Sequence, residues 1–179
     1  HLTDARLLPL KQVVWLMGRL NKEEEHSEKV WNSIWKTLDA RSKEILPGEF
    51  VGIFQAIAYG NNIPVDELVL TKLMRKTAQQ IQKFNDERLA RIFYSCFKAN
   101  IHKRRKKFVE FLSSEIIERL TKIKAWRLHR VLQAAFSVSG NHISADGTTV
   151  YDTSFLSTVA KQIMLRANNL EASRLAELI

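Results

Sequence analysis

Sliding the sequence against itself by 39 residues brings three segments into register, and a fixed period of that length restricts the chain to copies of one small unit. The segments run from Glu49 to Ala56, from Arg88 to Ser95 and from Arg127 to Ala134. Phe50, Leu89 and Leu128 align, as do Ile53, Ile92 and Val131, and Phe54, Phe93 and Leu132. Within each segment these residues fall three and four apart, which is one stripe of an α-helix. A second stripe keeps the same period: Trp31, Leu70 and Val109 align, then Ile34, Leu73 and Leu112, then Leu38, Thr77 and Ile116. Ile45, Phe84 and Ile123 close the units. Two stripes sharing one period predict an all-α chain, an α-solenoid of antiparallel helix-turn-helix repeats of about 39 residues.

The units are expected at about 7–45, in degenerate form, then 46–84, 85–123 and 124–170. The last is stretched to 47 residues by an insertion at 140–152, because Leu170 and Leu175 take the places of Ile123 and Leu128. Leu156, Val159 and Ile163 likewise stand for Val109, Leu112 and Ile116. Residues 171–179 read as the start of a further, truncated unit, since Arg174-Leu175-Ala176 resembles Arg88-Leu89-Ala90. In the degenerate first unit, Val14 and Trp15 are assigned the places of Ile53 and Phe54. The whole chain, 1–179, thus reads as one solenoid segment of nine helices, four pairs and an orphan. It begins at His1 with neither Met nor a leader, and it ends inside a helical pattern, as a processed protein or a piece of a longer one does. Further repeats, a partner surface or disorder are expected after Ile179.

Local signals agree with this division. Pro47 and Pro64 are expected where first helical turns begin, Asp66 and Glu67 follow Pro64, and Asn85-Asp86-Glu87 suits a capped N-terminus. Gly60-Asn61-Asn62 and Gly140-Asn141 suit helix C-termini. With six Gly and three Pro there is little turn punctuation for a many-stranded sheet.

The residue inventory argues against catalysis. His1, His26, His102, His129 and His142 include no pair at ligand spacing on one helix, so no metal is expected. No glycine-rich phosphate loop occurs, and Cys96, the one cysteine, sits in an apolar helical run as a buried thiol would. Carboxylate runs such as Glu23-Glu24-Glu25 and Asp66-Glu67 fall at helix ends. No cofactor and no small-molecule substrate are expected, and the absence of a long uncharged apolar run predicts no membrane span. Trp31 and Trp35, four apart on one helix, read as core packing, with Trp15 and Trp126 treated alike.

The repeat pattern is an aliphatic residue or Phe, then Ile-Phe or Val-Leu three and four residues later, then small residues. It resembles the degenerate helical repeats of organellar proteins, the octotricopeptide and heptatricopeptide families and the repeats of FAST-kinase-like proteins. The resemblance covers nearly the whole chain and is carried by apolar spacing; nothing in the chain resembles the RAP domain that often ends such proteins. It implies an α-solenoid in mitochondria or plastids, with the mitochondrion as the expected place; apart from the resemblance, the cytoplasm is the alternative. Such a scaffold binds RNA, either rRNA or an organellar transcript, among neighbouring proteins of a large assembly such as a ribosome.

The net charge of +9 draws polyanions, and its distribution is uneven. Residues 85–123 hold ten basic and five acidic side chains, more than half of the surplus, and five of the ten are consecutive: Lys103, Arg104, Arg105, Lys106 and Lys107. This run is expected at the turn between the two helices of one repeat. It suits sequence-independent contact with phosphates, although a solvated turn or a sorting signal has the same composition. A second candidate is the polar stripe of each first helix: Gln55 and Tyr59, then Arg91, Tyr94 and Lys98, then Arg130, Gln133 and Ser137. Stacked repeats would align it into one wall where Tyr stacks on bases, Gln pairs with base edges and Arg or Lys holds phosphate. An ordinary polar helix face has the same pattern. Protein docking without RNA contact, through the His142 to Tyr151 loop and the incomplete ends, is the competing expectation, in an organellar assembly or as a HEAT-like adaptor.

Overall fold

The computed structural model describes residues 8–23, 27–60, 63–139 and 153–166. All regular structure among them is helical: α1 (Leu10–Lys22), α2 (Glu28–Ala40), α3 (Pro47–Tyr59), α4 (Glu67–Gln79), α5 (Asp86–Lys98), α6 (Ile101–Arg104), α7 (Lys106–Arg119), α8 (Ala125–Ser139) and α9 (Thr153–Leu165). A single 3-10 turn, Ile81–Lys83, follows α4. The helix starts repeat the period of the sequence: α2, α4 and α7 begin at 28, 67 and 106, and α3, α5 and α8 at 47, 86 and 125, each 39 apart. Helix α9 begins at 153, which is 47 after α7. The insertion at 140–152, the segment 171–179, Leu170, Leu175 and the Asn61-Asn62 and Gly140-Asn141 signals lie outside the described residues.

The chain forms two compact units, His1–Phe84 and Asn85–Ile179, and the division falls between two repeats. In the first unit α1 packs on α3 and α2 on α4, with pair contacts α1 to α2 and α3 to α4. In the second, α5 packs on α8 and α7 on α9, α5 also meets α7, and α8 meets α9. Like therefore packs on like within each unit, so the same helix positions are covered in successive repeats. All of the aligned stripe positions from Trp31 to Ile123 are buried, as are Leu128, Val131, Val159 and Ile163; Leu132 and Leu156 are partly open. Thr77 stands at an apolar position because its hydroxyl donates to the Leu73 carbonyl at 3.0 Å, hiding its polarity in its own helix. Phe50 and Phe84 meet at 6.0 Å in the first unit, and Phe93 and Phe155 edge-on at 5.5 Å in the second. Trp31 and Trp35 are core residues, and the Trp35 indole donates to the Pro64 carbonyl at 2.7 Å.

Three local expectations change. Helix α1 buries Leu10, Val13, Met17 and Leu20, while Trp15 is 64% exposed, so Trp15 does not occupy the Phe54 place. Helix starts at 10 and 47 set that offset at 37 rather than 39, and Met17 then matches Phe54. Pro64 precedes α4 by three residues; Asp66 is the cap, its carboxylate accepting from the amides of Leu68 and Val69 at 3.0 Å each. Pro47 does begin α3, and Asn85 caps α5 by accepting from the Arg88 amide at 2.9 Å. Gly60 is the C-cap of α3, at the helix C-terminus expected of it, in an extended conformation, φ −87° and ψ 129°. Finally, nine helices occur among the described residues, but one is the one-turn α6, and the orphan expected at the chain's end lies outside them.

Two glycines in the first unit have opposite surroundings. A Cβ at Gly52 on α3 would lie 2.3 Å from a γ-methyl of Val14 on α1, whereas one at Gly18 on α1 would meet nothing within 4 Å. Val14 is β-branched and stiff at χ1, so it yields poorly, and Gly52 is what lets α1 and α3 approach. Gly18→Ala should stabilise the chain by about 1 kcal/mol through helix propensity. Gly52→Ala should instead destabilise it by about 1–2 kcal/mol, and adding Val14→Ala should recover part of that stability, read by urea unfolding. Cys96 is fully buried and burial pushes its thiol well above the ordinary range. Aromatic disulfide reagents should therefore modify it only in denaturant; labelling at the native-state rate of a free thiol would contradict this placement.

Candidate nucleic-acid interface

The basic run does not form a simple turn. After α5, Asn100 adopts the left-handed conformation, φ 54° and ψ 22°, which Asn tolerates, and reverses the chain into α6. Lys103 and Arg104 end that single helical turn, Arg105 bends at φ −132° and ψ 52°, and Lys106 and Lys107 open α7. Lys103, Arg104, Lys106 and Lys107 are exposed and Arg105 is half-buried. His102 packs its ring 5.6 Å from that of Phe97. Burial first, and Lys103 after it, lower its pKa against the opposing pull of the Cys96 and Phe97 carbonyls.

Helices α2, α3, α4 and α5 each carry a carboxylate in the first turn, Glu28, Glu49, Glu67 and the Asp86-Glu87 pair, opposing the positive end of the helix dipole. Helix α7 carries none there, nor do α1, α8 and α9, and what marks α7 is that two lysines, Lys106 and Lys107, open it. Each lysine at such an end costs about 0.3–1 kcal/mol in an isolated helix. Lys106 has a partial partner in Glu110, 3.6 Å away and exposed. The local chemistry is that of an anion-attracting helix end with flanking cations.

The polar stripe of the first helices is brought together in the second unit. Tyr94, Phe97 and Lys98 from α5, Asn100 after it and Gln133 from α8 line a groove of about 590 Å³. The Arg130 guanidinium lies 5.6 Å from the Tyr94 ring centre, and Phe97 meets Tyr94 edge-on at 6.1 Å. Lys98 and Gln133 are exposed; Tyr94 and Arg130 are half-buried. Arg91 is differently engaged: its guanidinium donates to Glu87 at 2.8 Å, one turn back on α5. Ser137 falls where side chains lie outside the described residues, as does Trp126.

Sequence reasoning missed three things here. Phe97 and Asn100 belong to the groove; Phe97 lies three residues after Tyr94, and an Asn following a helical run is a recognised left-handed signal. Arg127, read as a repeat position, is buried, and its guanidinium donates to Glu87 at 2.8 Å from α8. Asp86 and Glu87 do more than oppose a dipole. Glu87 joins α5 to α8 through Arg127, while Arg119 of α7 bonds Glu115 at 3.1 Å and lies 4.0 Å from Asp86. No group of three or more His, Cys, Asp or Glu that could hold a metal occurs among the described residues.

The Arg127 hydrogen bond holds the Glu87 carboxyl below its ordinary range, with Arg91 adding to the effect against partial burial. A carboxylate depressed on folding contributes stability that is complete above its unfolded value and is lost as pH falls through its folded value. Glu87→Gln should lower stability at neutral pH by about 1–2 kcal/mol, because Arg127 then stays buried beside a neutral amide. It should also flatten the acid limb of the stability–pH curve; an unchanged acid limb would contradict the pairing. No protein-family model matches this chain, and no curated protein matches it either.

Proposed function

We propose that the chain is a non-catalytic RNA-binding protein, an α-solenoid of repeats of about 39 residues serving as a structural component of a mitochondrial ribosome or other organellar ribonucleoprotein. The observation that carries this is the start of α7, where Lys106 and Lys107 replace the carboxylates found at the N-termini of α2 through α5. An arrangement that costs folding free energy at a helix end is rational when an anion occupies it. Lys103, Arg104 and Arg105 extend the positive patch along the chain, enough to displace counterions from several phosphates. The groove of Tyr94, Lys98 and Gln133, with Arg130 against Tyr94, supports contact with unpaired bases beside those phosphates. Packing of first helix on first helix in each unit supports the solenoid reading.

A docking subunit that touches only protein is the second reading. Exposed Met164 and Leu165 on α9 and Leu68 on α4 favour it. Among the described residues no helix is long and apolar enough to cross a membrane.

Replacing Lys103, Arg104, Arg105, Lys106 and Lys107 with Ser should weaken binding to single-stranded RNA and reduce the slope of log affinity against log salt by about 0.7 for each phosphate that is no longer neutralised. Titration of labelled RNA over a salt series reads both quantities. Unchanged affinity and slope would remove the basis for this function, and protein capture without RNA binding would favour the second reading.

A further inference from the structure

With α1 placed by its observed helix start, the polar stripe of the first helices extends into the first unit. Trp15, Gly52, Arg91 and Arg130 are each the sixth residue of α1, α3, α5 and α8, and Gly18, Gln55, Tyr94 and Gln133 are each the ninth. Tyr59 and Lys98 are both thirteenth. The groove of the second unit is built from the ninth and thirteenth positions, and the first unit has a groove on the same positions. Trp15, Gly18 and Arg19 of α1 and Gln55, Ala56 and Tyr59 of α3 are among the residues lining about 500 Å³ there. Each groove thus holds two aromatic residues, a Gln at the ninth position and a cation: Trp15, Tyr59, Gln55 and Arg19 in one, Tyr94, Phe97, Gln133 and Lys98 in the other.

The first-unit groove is open and aromatic rather than strongly charged. Trp15 is 64% exposed and Tyr59 52%, although most tryptophans that serve only the fold are covered, as Trp31 and Trp35 are here. Gly18 leaves open space above the surface of α1 where a side chain would stand. The Arg19 guanidinium lies 5.9 Å from the Trp15 ring centre and its charge is met by Glu23 at 2.6 Å. Its positive charge is therefore largely compensated, and the groove offers rings and the Gln55 amide more than it offers charge.

From this we propose that the groove between α1 and α3 takes one unpaired nucleobase of a single-stranded RNA, stacked on Trp15 with the Gln55 amide at its edge. The inference rests on the RNA-binding reading and adds to it a site that recognises the base and not the phosphate. The two sites then have separable signatures. The basic run beside α7 contributes salt-dependent affinity, and the Trp15 groove contributes affinity that salt leaves alone.

The test uses the whole chain with labelled oligo(A) and oligo(U) RNAs and an abasic ribose-phosphate oligomer of equal length. The difference in fluorescence between wild type and Trp15→Phe isolates Trp15 from the other tryptophans. It should be quenched by oligo(A) or oligo(U) and not by the abasic strand. Trp15→Ala should bind RNA about tenfold more weakly with the salt slope unchanged, and Trp15→Phe should recover most of the affinity. Helical circular dichroism equal to wild type is expected for both variants, because Trp15 is exposed. If wild type binds no RNA at all, the function proposed above fails and this inference with it. If wild type binds RNA through the basic run and Trp15→Ala binds equally well, or the abasic strand also quenches Trp15, this inference alone is overturned. Failure of Trp15→Ala to hold a protein partner, with RNA affinity intact, likewise overturns it.

Discussion

A helix with one apolar stripe can leave water only by lying against other helices, and in each unit of this chain it lies both against the helix at the equivalent place in the 39-residue pattern and against a neighbour in sequence. Helix α3 covers α1 and α8 covers α5, while α4 covers α2 and α9 covers α7. Because like covers like, the positions that must be apolar are the same in every repeat. This forces the period: helix starts 39 residues apart keep Phe50, Leu89 and Leu128 equivalent. The same constraint places the uncovered positions in equivalent places too. A chain that repeats its core in this way repeats its surface stripe without further selection, and that stripe is where the two grooves lie.

Much of this was legible because burial acts on spacing. The stripes and their period follow from apolar residues three and four apart, which are buried in both units. Even Thr77, which breaks the apolar pattern, lies on the stripe, since its hydroxyl is satisfied one turn back. The first helix departs from the pattern for an identifiable reason. Transferring the 39-residue offset to α1 puts Trp15 in the core on hydrophobicity alone, whereas the joint between α1 and α3 is two residues shorter and Met17 fills that place.

The candidate site was legible in composition and much less in geometry. The five consecutive cations are visible to any reading, but their division between α6 and α7 depends on Asn100 entering the left-handed region and on the bend at Arg105. Tyr94, Lys98, Arg130 and Gln133 do come together, because the ninth residues of α5 and α8 face one groove. Arg91 and Arg127 show the limit of the pattern. They are alike in charge, and repeat alignment carries no information on which carboxylate each will reach; one Glu87 engages both. Pairing across helices is set by side-chain length and local approach, which periodicity does not encode.

Beyond the apolar core they share in kind, two equivalent helix joints differ in one contact each. Where α1 meets α3, Gly52 removes a side chain so that Val14 can pack against bare backbone, a contact made of dispersion and excluded water. Where α5 meets α8, a single carboxylate is shared by two guanidiniums on neighbouring helices. Dispersion contacts are indifferent to ionic strength, and charge pairs of this partial exposure are not. Ions in the surrounding solution therefore weaken the Glu87 pairs at one joint while the packing of Val14 on Gly52 at the other carries no charge for them to screen.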